Sequence, residues 1–484
     1  MRFSQLCIEA DLSVTSRRGD ADVRAVVTDS RRAIAGGCFV AVRGPNTDGH
    51  LYITSAVAAG CTAVVCEDAS SAPEGVACAV VADSRSAAGP MAQAALGWPC
   101  RKLTITGVTG TNGKTTVIYL LRRILDLFGR KVAMIGTVSY DTITNSAPAS
   151  VTTPGAVELA DMMDEIVAAG GTHLVMEASS HAMEQRRTDG IDFDVVVFTN
   201  LSGDHLDYHG SMENYLAAKR RLFENLSADA VAVLNRDETH SESMASATAA
   251  SIVWYGLSSA SDISARIDRI DITGSRFLLR SGGGEINVRT GLIGRHNVHN
   301  CLAAAAAAGA MGVDIETIAE ALGQVRCVPG RLERIETETP FEVLVDYAHT
   351  DDALDKVLSA LRPVTSGRLI VVFGCGGDRD RSKRPRMARA AERWADAVIV
   401  TSDNPRSEKP TAIMEEILAG FSAPGRKKVK TEPDRRSAIE LAIDLADAGD
   451  VVLIAGKGHE NYQIIGDERI HFDDAEIVEN LLGK

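Results

Sequence analysis

Leu103-Thr-Ile-Thr106, continued by Gly107-Val-Thr-Gly110-Thr-Asn-Gly113-Lys114-Thr115-Thr116, decides how this chain reads. The first four residues have the apolar, β-branched character of a strand, and the glycines mark a tight turn. A helical pattern runs from Thr115 to about Phe128. Strand, glycine-rich turn and helix is the context a phosphate-binding loop needs. Successive backbone N–H groups and the positive helix end hold phosphate oxygens, and glycines let the backbone come close. Lys114 neutralises β/γ-phosphate charge, and the Thr115 hydroxyl can ligate Mg2+. The spacing departs from the usual one. Val108 stands six residues before the lysine, where a glycine is common, with Gly107 and Gly110 on either side.

Outward from this loop, Lys131–Ile135, His173–Glu177, Asp194–Thr199 and Ala230–Leu234 read as buried strands with helices between most of them. That spacing implies parallel βαβ units. Residues 252–290 look like short antiparallel strands, and a helix from about His299 to Met311 closes the segment. Towards the N-terminus, Val23–Val27, Cys38–Val42, Ala63–Cys66 and Ala77–Val81 alternate with alanine-rich helical stretches, and Trp98-Pro-Cys-Arg101 reads as a linker. Beyond the turn Val328-Pro-Gly-Arg331, Val343–Val345, Leu369–Phe373, Ala397–Thr401 and Val451–Ala455 again alternate with helices, close to a doubly wound sheet. The expected class is α/β in three domains: a small N-terminal α/β domain at 1–99, a central P-loop domain with a mostly parallel sheet at 100–330, and a C-terminal Rossmann-like domain at 331–484.

The bulk numbers agree with this division. A chain of 484 residues suggests about three domains. With 45% hydrophobic and 24% charged residues it is ordinary for a globular protein. A formal net charge of −14 disfavours nucleic acid or an anionic membrane as a partner. Nine cysteines without a Cys-x-x-Cys pair, and an N-terminus interrupted by acids, point to a reducing cytoplasm. The longest apolar run, Cys301–Met311, is mostly alanine and too short to span a bilayer.

Three further features lie where a P-loop would need company. Glu177 ends an apolar run, where a carboxylate would face a ligand at the sheet edge as a Mg2+ ligand or as hydrogen-bond acceptor for a metal-bound water. Asp204, His205, Asp207 and His209 fall within six residues; they could bind a metal, activate a nucleophile or cap the next helix. Lys219 lies in Lys219-Arg-Arg-Leu-Phe223 on an amphipathic helix, where an isolated lysine is a solvated one.

At these residues the sequence resembles the Mur ligases, ATP-dependent amino-acid ligases of peptidoglycan synthesis. The resemblance covers essentially the whole chain. It rests on Thr28-Asp-Ser-Arg31, Gly110–Thr116, Thr152-Thr-Pro154, Glu177–His181, Asp204–Gly210, Lys219, Gly294–Asn297, Pro329–Arg331, Asp346–His349, Gly374–Arg379 and Gly456–Glu460 in order. It implies a UDP-binding, an ATP-binding and an amino-acid-binding domain. It also implies activation of a carboxylate by ATP to an acyl phosphate, attacked by the incoming amine.

Residue by residue, the resemblance assigns Ser30 and the Gly44–Thr47 loop to uridine diphosphate, and Thr152, Thr153, Ser179, Gln185 and Arg187 to the muramoyl dipeptide of UDP-N-acetylmuramoyl-L-alanyl-D-glutamate. ATP falls to Gly110, Thr111, Asn112, Gly113, Lys114, Thr115 and Thr116, with Asn297, Arg331 and Asp346 on the hinge side. Thr115 and Glu177 serve one Mg2+ and His205 a second. Lys219 is implied to be carbamylated, which converts a cation into an anion. Lys114, Lys219, Glu177 and His205 form the implied catalytic set. Arg379, Asp403, Asn404, Pro405, Arg406, Gly456 and Glu460 are assigned to the amino acid. Members that add meso-diaminopimelate carry Asp-Asn-Pro-Arg at 403–406, and lysine-adding members lack that arginine. A guanidinium grips a distal carboxylate bidentately and repels the ammonium that ends lysine; Glu460 suits the distal ammonium. A monomer is expected.

Val151 and Asp351 depart from the family, which often has asparagine and proline there. A GTPase is disfavoured by the lack of an Asn-Lys-x-Asp motif. A folylpolyglutamate synthetase is disfavoured by Asp29-Ser-Arg31 and Asp403–Arg406. A non-catalytic nucleotide sensor is disfavoured by the joint presence of Lys114, Glu177, His205 and Lys219.

Overall fold

Three sheets, of five, eleven and six strands, follow one another along the chain. The computed structural model describes residues 1–44 and 47–483, with the backbone alone of Leu206 and Asp207. Pro45 and Asn46 of the expected uridine loop, and the Asp207 side chain, lie outside the described residues.

The first sheet contains Ala25–Val27, Gly37–Val40, Ala63–Cys66 and Ala77–Val81 in parallel, with Val14–Arg18 antiparallel along its edge. The four apolar runs are legible; the edge strand is not. Its last four residues are exposed and two are arginines, so no buried face writes a pattern.

In the second sheet Thr104–Thr109 lies between His173–Glu177 and Val195–Phe198, all three parallel. The parallel order continues through Val132–Ile135 on one side and Val231–Asn235 and Ser251–Gly256 on the other. This corrects the antiparallel reading of 252–290. Ser251–Gly256 pairs parallel with Val231–Asn235, and Tyr255–Gly256 pairs parallel with the start of Ile263–Asp271. Only its last two residues are buried, so it lacks the continuous apolar run of the central parallel strands. Within 252–290, Ile263–Asp271, Gly274–Ser281 and Gly284–Thr290 form an antiparallel meander, and at nine, eight and seven residues they are not short. Ile270 and Ile272, at the first turn of that meander, pack against the apolar core of the third sheet, as does Ile293.

The third sheet runs Glu333–Ile335, Glu342–Asp346, Val451–Ala455, Leu369–Phe373, Ala397–Val400, Val429–Thr431, parallel except at its first pair. A separate hairpin, Tyr462–Ile465 with Glu468–His471, follows the last buried strand. Trp98–Arg101 is more than a tether. Pro99–Lys102 forms a 3-10 turn with Pro99 and Cys100 buried.

The helix Arg295–Ala310 is buried from Asn300 to Ala308 and packs on Lys114–Leu127, the helix that opens at the phosphate-binding loop. Alanines set the close distance. A Cβ at Gly113 would collide with the Asn300 amide, and one at Gly110 with the Thr199 hydroxyl. Both glycines also have positive φ, at 89° and 145°. Strand ends Thr109, Glu177, Phe198, Asp346 and Ala455 open onto the crevice outside the carboxyl edges of the two larger sheets. Part of that crevice is a cavity of about 800 Å³.

Candidate active site

The phosphate-binding loop is held from behind. Thr111 N–H donates to Asn200 O (2.8 Å) and Asn112 N–H to Asn200 Oδ1 (3.0 Å). Thr199 Oγ1 donates to Asn112 O (2.7 Å). The Lys114 ammonium folds back onto Gly110 O (3.0 Å) and Thr111 O (2.8 Å). Burial lowers its pKa, with Glu177 and Asp204 acting in the other direction. A lysine resting on two carbonyls of its own loop exchanges weak acceptors for phosphate oxygens when an anion arrives.

Thr115 joins this loop to the next strand end. Its hydroxyl donates to Glu177 Oε1 (2.9 Å) and accepts from Arg331 Nη2 (3.1 Å). Glu177 is fully buried and also accepts from Thr137 N–H (2.8 Å) and Thr137 Oγ1 (3.1 Å). Hydroxyl and carboxylate oxygens are the donors a hard divalent cation takes. Asp346 accepts from Leu332 N–H (2.6 Å) and Ala348 N–H (2.8 Å); burial raises its pKa and Arg331 partly offsets that. Asn297 donates to Ile293 O (2.9 Å) and accepts from Asn300 Nδ2 (3.0 Å). Arg331, Asp346 and Asn297 line the same cavity as Asn112–Thr116.

Lys219 is not the solvated lysine that an isolated reading predicts. It is 1% exposed and donates to Gly110 O at 2.8 Å, so two lysines converge on one carbonyl. Burial, then the Lys114 cation, hold its pKa well below the ordinary value, against Asp204. The register carried a signal. Tyr215, Lys219, Leu222 and Phe223 fall at helical spacing and all are buried. His205 lines the cavity and packs edge-on against His181, with ring centroids 4.8 Å apart. His209 is buried against Ser180 Oγ at 3.0 Å.

Thr152, Thr153, Ser179 and Arg187 line the cavity's far wall. Thr153 Oγ1 donates to Glu177 O (2.8 Å) and Thr152 Oγ1 lies 3.1 Å from Thr137 Oγ1. Arg187 donates to Thr153 O (2.6 Å) and Gln185 Oε1 (2.6 Å). Val151, one of the two departures, uses its backbone instead: its N–H donates to Tyr140 Oη at 3.0 Å. Asp351 is explained by its place in the first turn of Asp351–Leu361, where a carboxylate favours the helix dipole, and by Arg386 at 3.0 Å. Ser30 lies in the first sheet's layer, outside the lining of the cavity.

Asp403–Arg406 forms a second cluster beside the first. Asn404 Nδ2 donates to Glu460 Oε2 (3.0 Å), and Arg406 Nη1 to Gly377 O (2.9 Å). Asp403 is buried. Burial pushes its pKa up, but Lys457 and Arg435 outweigh that and the net shift is downward. Glu460 is raised, by burial and then by Asp403. A Cβ at Gly456 would meet Asp403 Oδ2 at 2.7 Å. Arg379 lines the cavity itself and so lies between the two clusters.

Sequence reasoning missed several residues that hold this region. Arg384, by residue type a solvated side chain, is fully buried on Glu408 (2.8 Å) and Glu416 (2.9 Å), at helical spacing from buried Met387, Ala388 and Ala391. Asp352 ties the two larger domains. Its Oδ2 accepts from Asn112 Nδ2 (3.2 Å), Ser202 Oγ (2.8 Å) and Lys356 Nζ (2.6 Å). His349 and His459 are each held down to about 4, mainly by burial, with Lys383 and Arg331 respectively adding to it. Among the described residues no helix is long and apolar enough to cross a membrane.

Comparison with known proteins bears on this geometry. The Mur ligase middle domain matches residues 108–308, the Mur ligase glutamate ligase domain 330–458, and the Mur ligase family catalytic domain 22–95. The chain is 46% identical over 466 residues to the UDP-N-acetylmuramoyl-L-alanyl-D-glutamate–2,6-diaminopimelate ligase of Geobacillus kaustophilus, covering 95% of each chain. It is 45% identical to the protein of the same name from Geobacter metallireducens, covering 94% of this chain and 93% of that one. A solved structure of a ligase of that name superposes with TM-score 0.68 at 36% identity, over 95% of this chain and 94% of the other. Folylpolyglutamate synthase of Mycobacterium tuberculosis shares the fold, with TM-score 0.65 at 22% identity over 83% of this chain and 95% of its own.

Proposed function

The chain belongs to the Mur ligase family, and from that premise we infer that it joins meso-2,6-diaminopimelate to UDP-N-acetylmuramoyl-L-alanyl-D-glutamate at the expense of ATP. It is an ATP-dependent acid–amino-acid ligase of peptidoglycan synthesis. These soluble precursors suit a cytoplasmic enzyme. Residues 1–99 take the UDP moiety, 100–330 ATP, and 331–484 the amino acid. The observation that supports the choice of amino acid is the Asp403–Arg406 turn, with a guanidinium on one side and Glu460 on the other.

The chemistry divides between the two clusters. Lys114 and the loop N–H groups hold the phosphates of ATP while the glutamate carboxylate of the nucleotide-sugar attacks the γ-phosphorus. Thr152, Thr153, Ser179 and Arg187 position that carboxylate, with Gln185 orienting Arg187, and Ser30 holds the uridine end. Thr115 and Glu177 fit Mg2+ by their oxygen donors, with His205 as ligand to a second ion; bound there, the ions neutralise phosphate charge. Asn297, Arg331 and Asp346 contact the nucleotide. Lys219 suits carbamylation: a depressed pKa raises the share of neutral amine, and a neutral amine adds CO2 with loss of one proton. The anion so formed faces the P-loop.

The amine of diaminopimelate then attacks the acyl phosphate, a tetrahedral intermediate forms, and phosphate leaves. Arg379, Arg406 and the Asp403–Pro405 turn, with Gly456 and Glu460, hold the amino acid. Exclusion of water between the two domains protects the acyl phosphate.

A coupled ADP-release assay with the nucleotide-sugar dipeptide tests the reading. Turnover is expected with meso-diaminopimelate and little with L-lysine. Turnover with lysine alone overturns it.

A further inference from the structure

Lys457 lies between Gly456 and Gly458 and is fully buried. Its ammonium donates to Tyr462 O (2.6 Å) and Asn404 Oδ1 (3.2 Å). Asp403 Oδ1 and Glu460 Oε2 lie 3.9 Å and 4.0 Å away, near enough to feel its charge but too far for a hydrogen bond. Asn404 is then fixed on both ends: Oδ1 accepts from Lys457 and from Ile464 N–H (2.9 Å), and Nδ2 donates to Glu460 (3.0 Å). Behind this group Arg435 pairs with Asp474 (2.7 Å), both without exposure, and donates to Ala455 O (3.1 Å), the last residue before the Gly456–Glu460 loop.

We propose that Lys457 is a positioning residue for the amino-acid pocket: it orients the Asn404 amide and offsets the charge of buried Asp403, so that part-buried Glu460, which also feels Arg406, stays ionised to receive the incoming amino acid's ammonium. This deepens the diaminopimelate reading and rests on it. Without Lys457, Asp403 and Glu460 lose the cation that lies within 4.0 Å of both, and one of them takes a proton more readily. A protonated carboxyl no longer attracts an ammonium. Asn404, held at Oδ1 by Ile464 N–H alone, is freer to turn its amide over and set its carbonyl oxygen against Glu460, which needs a donor.

The test measures KM and kcat for all three substrates in the full-length wild type, K457M, K457Q and K457R, with thermal melts as a fold control. For K457M the diaminopimelate KM is expected to rise at least about tenfold, with ATP and nucleotide-sugar KM within about twofold. The acid limb of the diaminopimelate kcat/KM profile should move to higher pH, because Glu460 loses its neighbouring cation. K457R should recover more of the affinity than K457Q if charge is what matters. If K457M does not fold, the K457R and K457Q pair carries the same comparison. The proposal also requires coupling: K457M and N404A together should cost less than the product of their separate effects. A folded K457M or K457Q with unchanged diaminopimelate KM and pH profile overturns it. R406A is run in parallel. If R406A leaves the diaminopimelate KM unchanged, the pocket assignment itself fails; if R406A responds and Lys457 variants do not, only the Lys457 proposal fails.

Discussion

The phosphate loop and the amino-acid pocket both form beyond the carboxyl ends of parallel strands, yet they are made of opposite materials. The loop comes from one continuous segment, Gly110–Thr116, and its working groups are backbone N–H and a helix end. The pocket draws on the turns after Val400 and Ala455, Arg379, and the hairpin residue Ile464, and its working groups are charged side chains, of which Asp403 and Lys457 are buried. Backbone donors cannot be mutated away and keep their charge at every pH. Buried side-chain charges must each be balanced, so they are costly to assemble and open to retuning. On the proposed reading the nucleotide meets the first kind of site and the amino acid the second.

The sharpest break of this contrast is Lys114→Ala, which removes the one side-chain charge the loop depends on. A fall in kcat of about a thousandfold or more is expected at unchanged melting temperature, read by ADP release. Near-normal turnover would show that backbone alone suffices. Next, Arg406→Ala should raise the KM for diaminopimelate by roughly ten- to a hundredfold while leaving that for ATP in place. Arg406→Lys should recover little, because an ammonium cannot grip a carboxylate in two places. Asp352→Ala, which cuts the link between Asn112 and the C-terminal domain, should raise the KM for ATP only a few-fold; isothermal titration with a non-hydrolysable ATP analogue checks it.

The smallest effect is on stability against pH. His349 and His459 stay neutral in the folded chain down to about 4, whereas an unfolded histidine takes its proton near 6.5. Between those values the unfolded state binds more protons, so stability is full above 6.5 and declines as pH falls towards 4. Denaturant unfolding at pH 7 and pH 5 reads this. His349→Asn should flatten the slope, and an unchanged slope would remove His349 from the account.

The same division sets what was legible. Gly110–Thr116 is a local pattern, and each of its elements is written within about a dozen residues. The central strands are legible because they are buried on both faces; Val14–Arg18 and Glu333–Ile335 are not, being short edges with exposed or charged residues. Lys219 and Arg384 read as surface residues by type, although the residues three and four positions further along their helices are buried. Position on the stripe was the better guide. Lys457 offered less. A lysine between two glycines reads as a loop residue, and the carboxylates that need it lie within a few residues on one side and more than fifty away on the other. No local pattern records such a pairing.

The isoleucines at the meander's turn carry a mechanical consequence. The C-terminal domain is attached at the Val328–Arg331 turn and again where Ile270 and Ile272 enter its core. A body on a single tether can tumble; one held also by apolar contacts, and by Asp352 on Asn112 and Ser202, has fewer directions open to it. A displacement across the seam must pull apolar side chains apart. The second attachment therefore works as a restraint. It narrows the ways in which the C-terminal domain can move over the phosphate-binding loop.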